Sequence, residues 1–95
     1  MRRYLMRGLS LFDSRNRKIA ITSGQSIYDA ESRRIGSIHG DKLFDSQGRT
    51  MMTVRGLDIY DADDKMVANQ SQAKESIEGI AEGMMRSALW YCFVR

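Results

Sequence analysis

Four aspartates at a fixed interval are the residues of this chain whose spacing most suggests chemistry. Asp13, Asp29, Asp45 and Asp61 lie sixteen residues apart, and each is followed four positions later by a base: Arg17, Arg33, Arg49 and Lys65. Carboxylates gathered on a ring can bind a cation, but calcium needs six or more oxygens converging at about 2.3–2.6 Å. A ring of bases, reinforced by Arg15, Lys18 and Arg34, can hold an anion or a phosphate backbone through counterion release. A structural use competes with both. An Asp that opens a tight turn accepts backbone N–H bonds from the residues after it, and the base beside it is then simply solvated. Capping accounts for all four aspartates, so no metal site is read. Anion binding by Arg17, Arg33, Arg49 and Lys65 is kept as an alternative.

The other reactive side chains lack partners in the sequence. His39 stands alone beside Gly40, with nothing nearby to make it a base or a ligand. Cys92 is the single cysteine, which excludes an internal disulfide and a cysteine-based zinc site. It lies in an apolar stretch, whereas a nucleophilic thiolate needs an electropositive, exposed setting. Asp58, Asp61, Asp63 and Asp64 cluster, but without the glycine and distal glutamate of a calcium loop. No nucleophile elbow or phosphate loop occurs. The expectation is a protein without catalytic residues or a cofactor.

The elements that must position these residues follow from the same sixteen-residue period. An aliphatic and an aromatic precede each aspartate: Leu11-Phe12, Ile27-Tyr28, Leu43-Phe44 and Ile59-Tyr60. An apolar residue follows two after the base (Ile19, Ile35, Met51, Val67), and a glycine closes three units, at Gly24, Gly40 and Gly56. Self-similarity at a fixed period is the mark of a repeat architecture. Each unit reads as a hairpin with a type I turn plus bulge. Asp opens the turn, and Asn16, Ser32, Gly48 or Asp64 takes the left-handed position near its end. The tips are placed at 14–16, 30–32, 46–48 and 62–64. The aromatics are assigned to the core or to packing between hairpins. Isolated hairpins are marginal in water, so the four must share one core, with Leu43 and Ile35 among its residues. Closure around a pseudo-four-fold axis would hide the sheet edges.

The pattern aliphatic, aromatic, Asp, two residues, Asn or Gly, base, any residue, aliphatic, repeated four times over residues 9 to about 70, resembles the four-fold β-flower family of small bacterial proteins. The resemblance implies a closed fold of four hairpins and no assigned activity. The fourth unit departs from it, with Gln72 in place of the closing glycine.

From Ser71 the period changes. Ile77, Ile80, Ala81, Met84, Met85, Ala88, Leu89, Cys92 and Phe93 recur at intervals of three and four, as on one amphipathic helix over 71–94. Gly79 and Gly83 would let it approach another backbone closely. The end, Trp90 to Val94, is apolar nearly all round and needs cover on more than one side.

Ninety-five residues make one domain, 1–95, with the hairpin module at 9–70 and the helix at 71–94. A composition 42% hydrophobic and 28% charged is that of a soluble protein, and a net charge of +3 permits an anionic partner without requiring one. The longest apolar run, Ala88 to Val94, is far short of the roughly 20 residues that span a bilayer. The basic start of the chain has no apolar stretch behind it like that of a signal peptide, so a cytoplasmic location is expected. The function expected is a non-enzymatic protein–protein interaction module, an inhibitor or regulator of a larger assembly. It would dock or form a homodimer through Met84, Met85, Leu89, Trp90 and Phe93. The alternatives are the basic ring binding nucleic acid and a small ligand at the pseudo-four-fold axis.

Overall fold

The computed structural model describes residues 3–79 and 83–94. Eight of its strands are those the repeat requires: β2 (Ser10–Phe12), β3 (Lys18–Ser23), β4 (Ser26–Asp29), β5 (Arg34–His39), β6 (Lys42–Asp45), β7 (Thr50–Arg55), β8 (Asp58–Asp61) and β9 (Met66–Asn69). Each hairpin has the same register. Leu11 faces Ala20, Ile27 faces Gly36, Leu43 faces Met52 and Ile59 faces Ala68, with a bulge one residue later every time. The tips carry the left-handed residues predicted for them, with φ of 64° at Asn16, 66° at Ser32, 83° at Gly48 and 66° at Asp64. At the other end two-residue loops join the hairpins. Their first residue is a glycine with φ near 60°, as at Gly24 and Gly40, the signature of a type II′ turn.

The sequence reading left out one strand. β1 (Tyr4–Arg7) pairs with β2 through the turn at Gly8, in the register by which β3 pairs with β4. Met6 is therefore equivalent to Thr22, Ile38 and Val54, sixteen residues apart, and all four are buried. The repeat thus begins half a unit earlier than its aspartates suggest.

Two expectations are corrected. The ring does not close by strand pairing: the ten strands form one open sheet, in the order β10-β1-β2-β3-β4-β5-β6-β7-β8-β9. The C-terminal segment is not one helix either. After β9 the chain forms α1 (Gln70–Ser76), then β10 (Ile77–Glu78), then α2 (Gly83–Leu89), which continues into a π-helical turn (Trp90–Val94). Ile80, Ala81 and Glu82, which the predicted helical stripe included, lie outside the described residues. The departure from the repeat is at Gln72. Its side-chain oxygen accepts from the Asn69 N–H and its own N–H donates to the Asn69 carboxamide, both at 3.1 Å, a reciprocal cap that starts a helix where earlier units turn at glycine. That helix ends at Ile77, whose backbone is extended and enters β10. The passage of β10 beside β1 depends on Gly79. Its φ is 112°, and a Cβ there would meet the Met6 carbonyl oxygen at 2.5 Å, so only glycine lets the chain pass so close to β1. The close backbone approach expected of this glycine is made within the chain.

β10 lies parallel to β1, with Tyr4 opposite Ile77 and Leu5 opposite Glu78. α1 thus leads the chain from the edge strand β9 to the opposite edge of the sheet. One face of the sheet is the core. Leu11, Ile27, Leu43 and Ile59 are wholly buried there, facing small or flexible residues, and Ala88, Leu89 and Trp90 from the last helix join them. α2 packs against β5 and β7. Ile35 does not belong to this inner row. It sits half-buried against the core at the bulge, the position that Ile19, Met51 and Val67 take in the other units, because the register turns Gly36, not Ile35, inward. Among the described residues no helix is long and apolar enough to cross a membrane.

Candidate functional site

The tip of each hairpin is built by its aspartate. Asp45 Oδ1 accepts from the backbone N–H of Gln47 at 2.8 Å and of Arg49 at 2.9 Å, while the Arg49 Nε donates to Oδ2 at 3.0 Å. Asp13 and Asp29 make the same three bonds to their own units. Asp61 accepts from the Asp63 and Lys65 N–H groups. The carboxylates of Asp13, Asp29 and Asp45 are held below the ordinary Asp range, first by the N–H of the residue four ahead, then by the second N–H and the nearby guanidinium. The Arg33 guanidinium is pushed up, chiefly by the charge of Asp29. These aspartates are turn caps, and among the described residues no group of three or more acidic, His or Cys side chains is placed to hold a metal ion.

The same geometry weakens the basic ring. Arg17, Arg33 and Arg49 each turn toward an aspartate of their own unit, and Arg33 also pairs with Glu31. Over residues 13–17, 29–33, 45–49 and 61–65 there are seven carboxylates (Asp13, Asp29, Glu31, Asp45, Asp61, Asp63, Asp64) against five cations (Arg15, Arg17, Arg33, Arg49, Lys65). The tips are net acidic.

The surplus positive charge lies elsewhere. Phe12, Tyr28, Phe44 and Tyr60 are not in the core. Directly opposed residues of an antiparallel pair point to one face, and the aromatics alternate with the buried aliphatics, so they stand half-buried on the outer face. The strand pairings put Arg7, Lys18, Arg34, Lys42 and Arg55 on that face, with Asp58 and Glu78 as carboxylates among them; Glu78 is paired with Arg3, and Arg55 is paired with Asp64 of the fourth tip at 2.7 Å. In three of the four units the residue five before the aromatic sits over or against its ring. The Arg7 guanidinium lies 4.9 Å from the centre of Phe12, Arg55 lies 4.9 Å from that of Tyr60, and His39 meets Phe44 edge-on at 5.6 Å. In the second unit this position is Ser23, too short to reach Tyr28.

The C-terminal residues assigned to a partner divide into two groups. Leu89 and Trp90, 0% and 8% exposed, are taken up by the chain's own core. Met84, Met85 and Phe93 remain half-buried, as do Tyr91, Cys92 and Val94. His39 is an exposed strand end committed to Phe44. At the tips, Tyr91 lines a cleft of about 390 Å³ with Arg49, Thr50 and Ala62, so the end of the helix comes out among the third and fourth hairpins. What sequence reasoning lacked here was the outer face, whose signal was present: residues 7, 23, 39 and 55 share the sixteen-residue spacing, as Arg, Ser, His and Arg.

No curated protein and no solved structure matches the chain. A family model does, that of the 4-fold beta flower proteins, over residues 9–87, which covers all four hairpins, α1, β10 and the start of α2. With all four hairpins inside one match that covers most of its length, this chain belongs to the 4-fold beta flower family.

Proposed function

We propose that the protein is a non-enzymatic interaction module, a regulator or inhibitor that works by contact with another protein chain, and first of all with a second copy of itself. The observation that supports this reading is the apolar surface left on the last helix. With Leu89 and Trp90 already in the core, Met84, Met85 and Phe93 keep part of their area open to solvent on a short segment. Methionines suit such a surface because their unbranched side chains adapt to a partner's shape. Two-fold homodimers are the commonest assembly for a single patch of this kind. The single half-buried cysteine is compatible with a reducing compartment such as the cytoplasm.

Light scattering behind size exclusion at micromolar concentration tests it. The expected result is twice the chain mass for the wild type and the single-chain mass for a Met85→Glu, Phe93→Ser variant that keeps its β circular dichroism. A wild type that stays at single-chain mass across that range would remove the homodimer.

A further inference from the structure

We infer that the outer face of the sheet is a docking surface for single-stranded nucleic acid, with Tyr28 as the aromatic on which a base stacks. The surface is distinct from the helix end discussed above and stands on different observations. The first is a ring without a seated partner. Phe12, Phe44 and Tyr60 each have a charged or ring-bearing side chain of their own chain seated on or against them, whereas among the described residues no cation or ring is seated on Tyr28, which is half-buried like the other three.

The second observation is what surrounds that ring. Ser23 pairs across the strands with Ser26, and Ser26 with Ser37, so three short side chains make a shallow floor beside Tyr28 on β3, β4 and β5. None of their hydroxyls bonds to another described protein group. In the first unit the same three places are Arg7, Ser10 and Ile21, and in the third His39, Lys42 and Thr53, so only the second unit offers this floor.

The third observation is charge. Arg34 stands directly opposite Tyr28, while Arg7, Lys18 and Lys42 lie on the same face. An arginine side chain from a protein partner would also suit an open aromatic ring, but this field repels it. A planar base on a phosphate chain satisfies both requirements: its π-face stacks on the tyrosine and its phosphates meet the cations. Stacking platforms flanked by cations are how single strands are held without reading sequence. The Arg7 guanidinium, 4.9 Å from the centre of the Phe12 ring, continues the platform, because bases stack on guanidinium planes as well; Arg55, at the same distance from Tyr60, is also ion-paired with Asp64. The hairpin tips, net acidic, would lie at the margin of this surface and guide the strand along the sheet.

Fluorescence anisotropy with labelled twelve-residue oligothymidine and oligouridine in 50 mM salt tests the inference. The expected result is binding of at least one of them, with the two arms separating DNA from RNA. Tyr28→Ala should weaken it roughly tenfold or more, and Tyr28→Phe should leave it near wild type. Arg34→Gln should lower the slope of log affinity against log salt by about 0.7, the share of one phosphate contact on a single strand. Arg49→Gln, at a neutralised tip, should change neither quantity. No binding of either oligonucleotide by folded wild type, or equal binding by a folded Tyr28→Ala protein, would overturn the inference. In the first case the face would pass to a protein ligand. Because the homodimer test reads mass and this one reads oligonucleotide affinity, the failure of either leaves the other standing.

Discussion

The second and third hairpins have the same strands, register and bulge, yet they use their positions differently. The third is relaxed and covered. Its left-handed tip position is Gly48, its inner row pairs Leu43 with Met52, and His39 sits against its aromatic. The second is strained and less engaged: its tip position is Ser32 at φ 66°, its inner row pairs Ile27 with Gly36, and among the described residues its half-buried aromatic has no cation or ring seated on it. Positions at which the two units agree, the aspartate, the inner aliphatic and the bulge, are those that make a hairpin of this kind. Where they differ the hairpin still forms, at some cost or constraint of its own, and the differences on the outer face are open to recognition.

The largest expected effect tests the shared positions. Leu43→Ala removes a wholly buried side chain from the inner row and should cost about 2–4 kcal/mol in urea denaturation, with Ile27→Ala in the same range. If Ile27→Ala cost far less, the two inner rows would not be equivalent, and the bare second unit would be peripheral to the core. A smaller effect tests the strain. Ser32→Gly should stabilise by up to about 1 kcal/mol, because a side chain in the left-handed region carries a steric penalty that glycine lacks, offset in part by the entropy of the unfolded glycine. Gly48→Ser should move the third unit the other way by a similar amount, and a null result for both would show that the tips tolerate either residue.

The smallest effect concerns acid. The folded pKa values of Asp29 and Asp45 lie below those of the unfolded chain, so their contribution is present at neutral pH and is lost as pH falls below about 4 and through the folded values. The urea midpoint should therefore decline over that range. Asp45→Asn should flatten the decline, since an amide can still accept the two N–H bonds but no longer titrates. A variant whose midpoint declines as steeply as the wild type's would assign the acid sensitivity to other groups.

The hairpins were legible because turn chemistry is local. Asp first and a left-handed residue near the end are contained in five residues, and the backbone N–H bonds to the aspartate that they imply are all present; the base four on, expected to be solvated, instead pairs with the aspartate in the first three units. Of the two places expected for the aromatics, packing between hairpins is seen in His39 on Phe44 and Arg55 on Tyr60, whereas the core is excluded, and the sequence left it open for an equally definite reason. In each Leu-Phe or Ile-Tyr pair two apolar residues are adjacent, so alternation alone does not say which faces inward, and the answer depends on the cross-strand partner. Small residues at 20, 36 and 68 mark the aliphatic row as the one that meets the helix. The broken C-terminal segment was hidden because periods of three and four survive a break: Ile77 fits the helical stripe while lying in a strand. Gly79 held the signal, but its meaning depends on Met6, more than seventy residues earlier in the chain.

That pairing of β10 with β1 has a consequence for how the molecule is made. As the polypeptide leaves the ribosome, β2 to β9 can each add to the strand just before it, so the sheet grows by near-neighbour steps. β1 is different: its outer edge gains its partner only when residues 77–78 have been synthesised, and until then it offers unpaired backbone groups to other nascent chains. Among strands that do gain a partner on both sides, β1 waits longest for its second one, so part of the hazard of aggregation during synthesis falls on its outer edge.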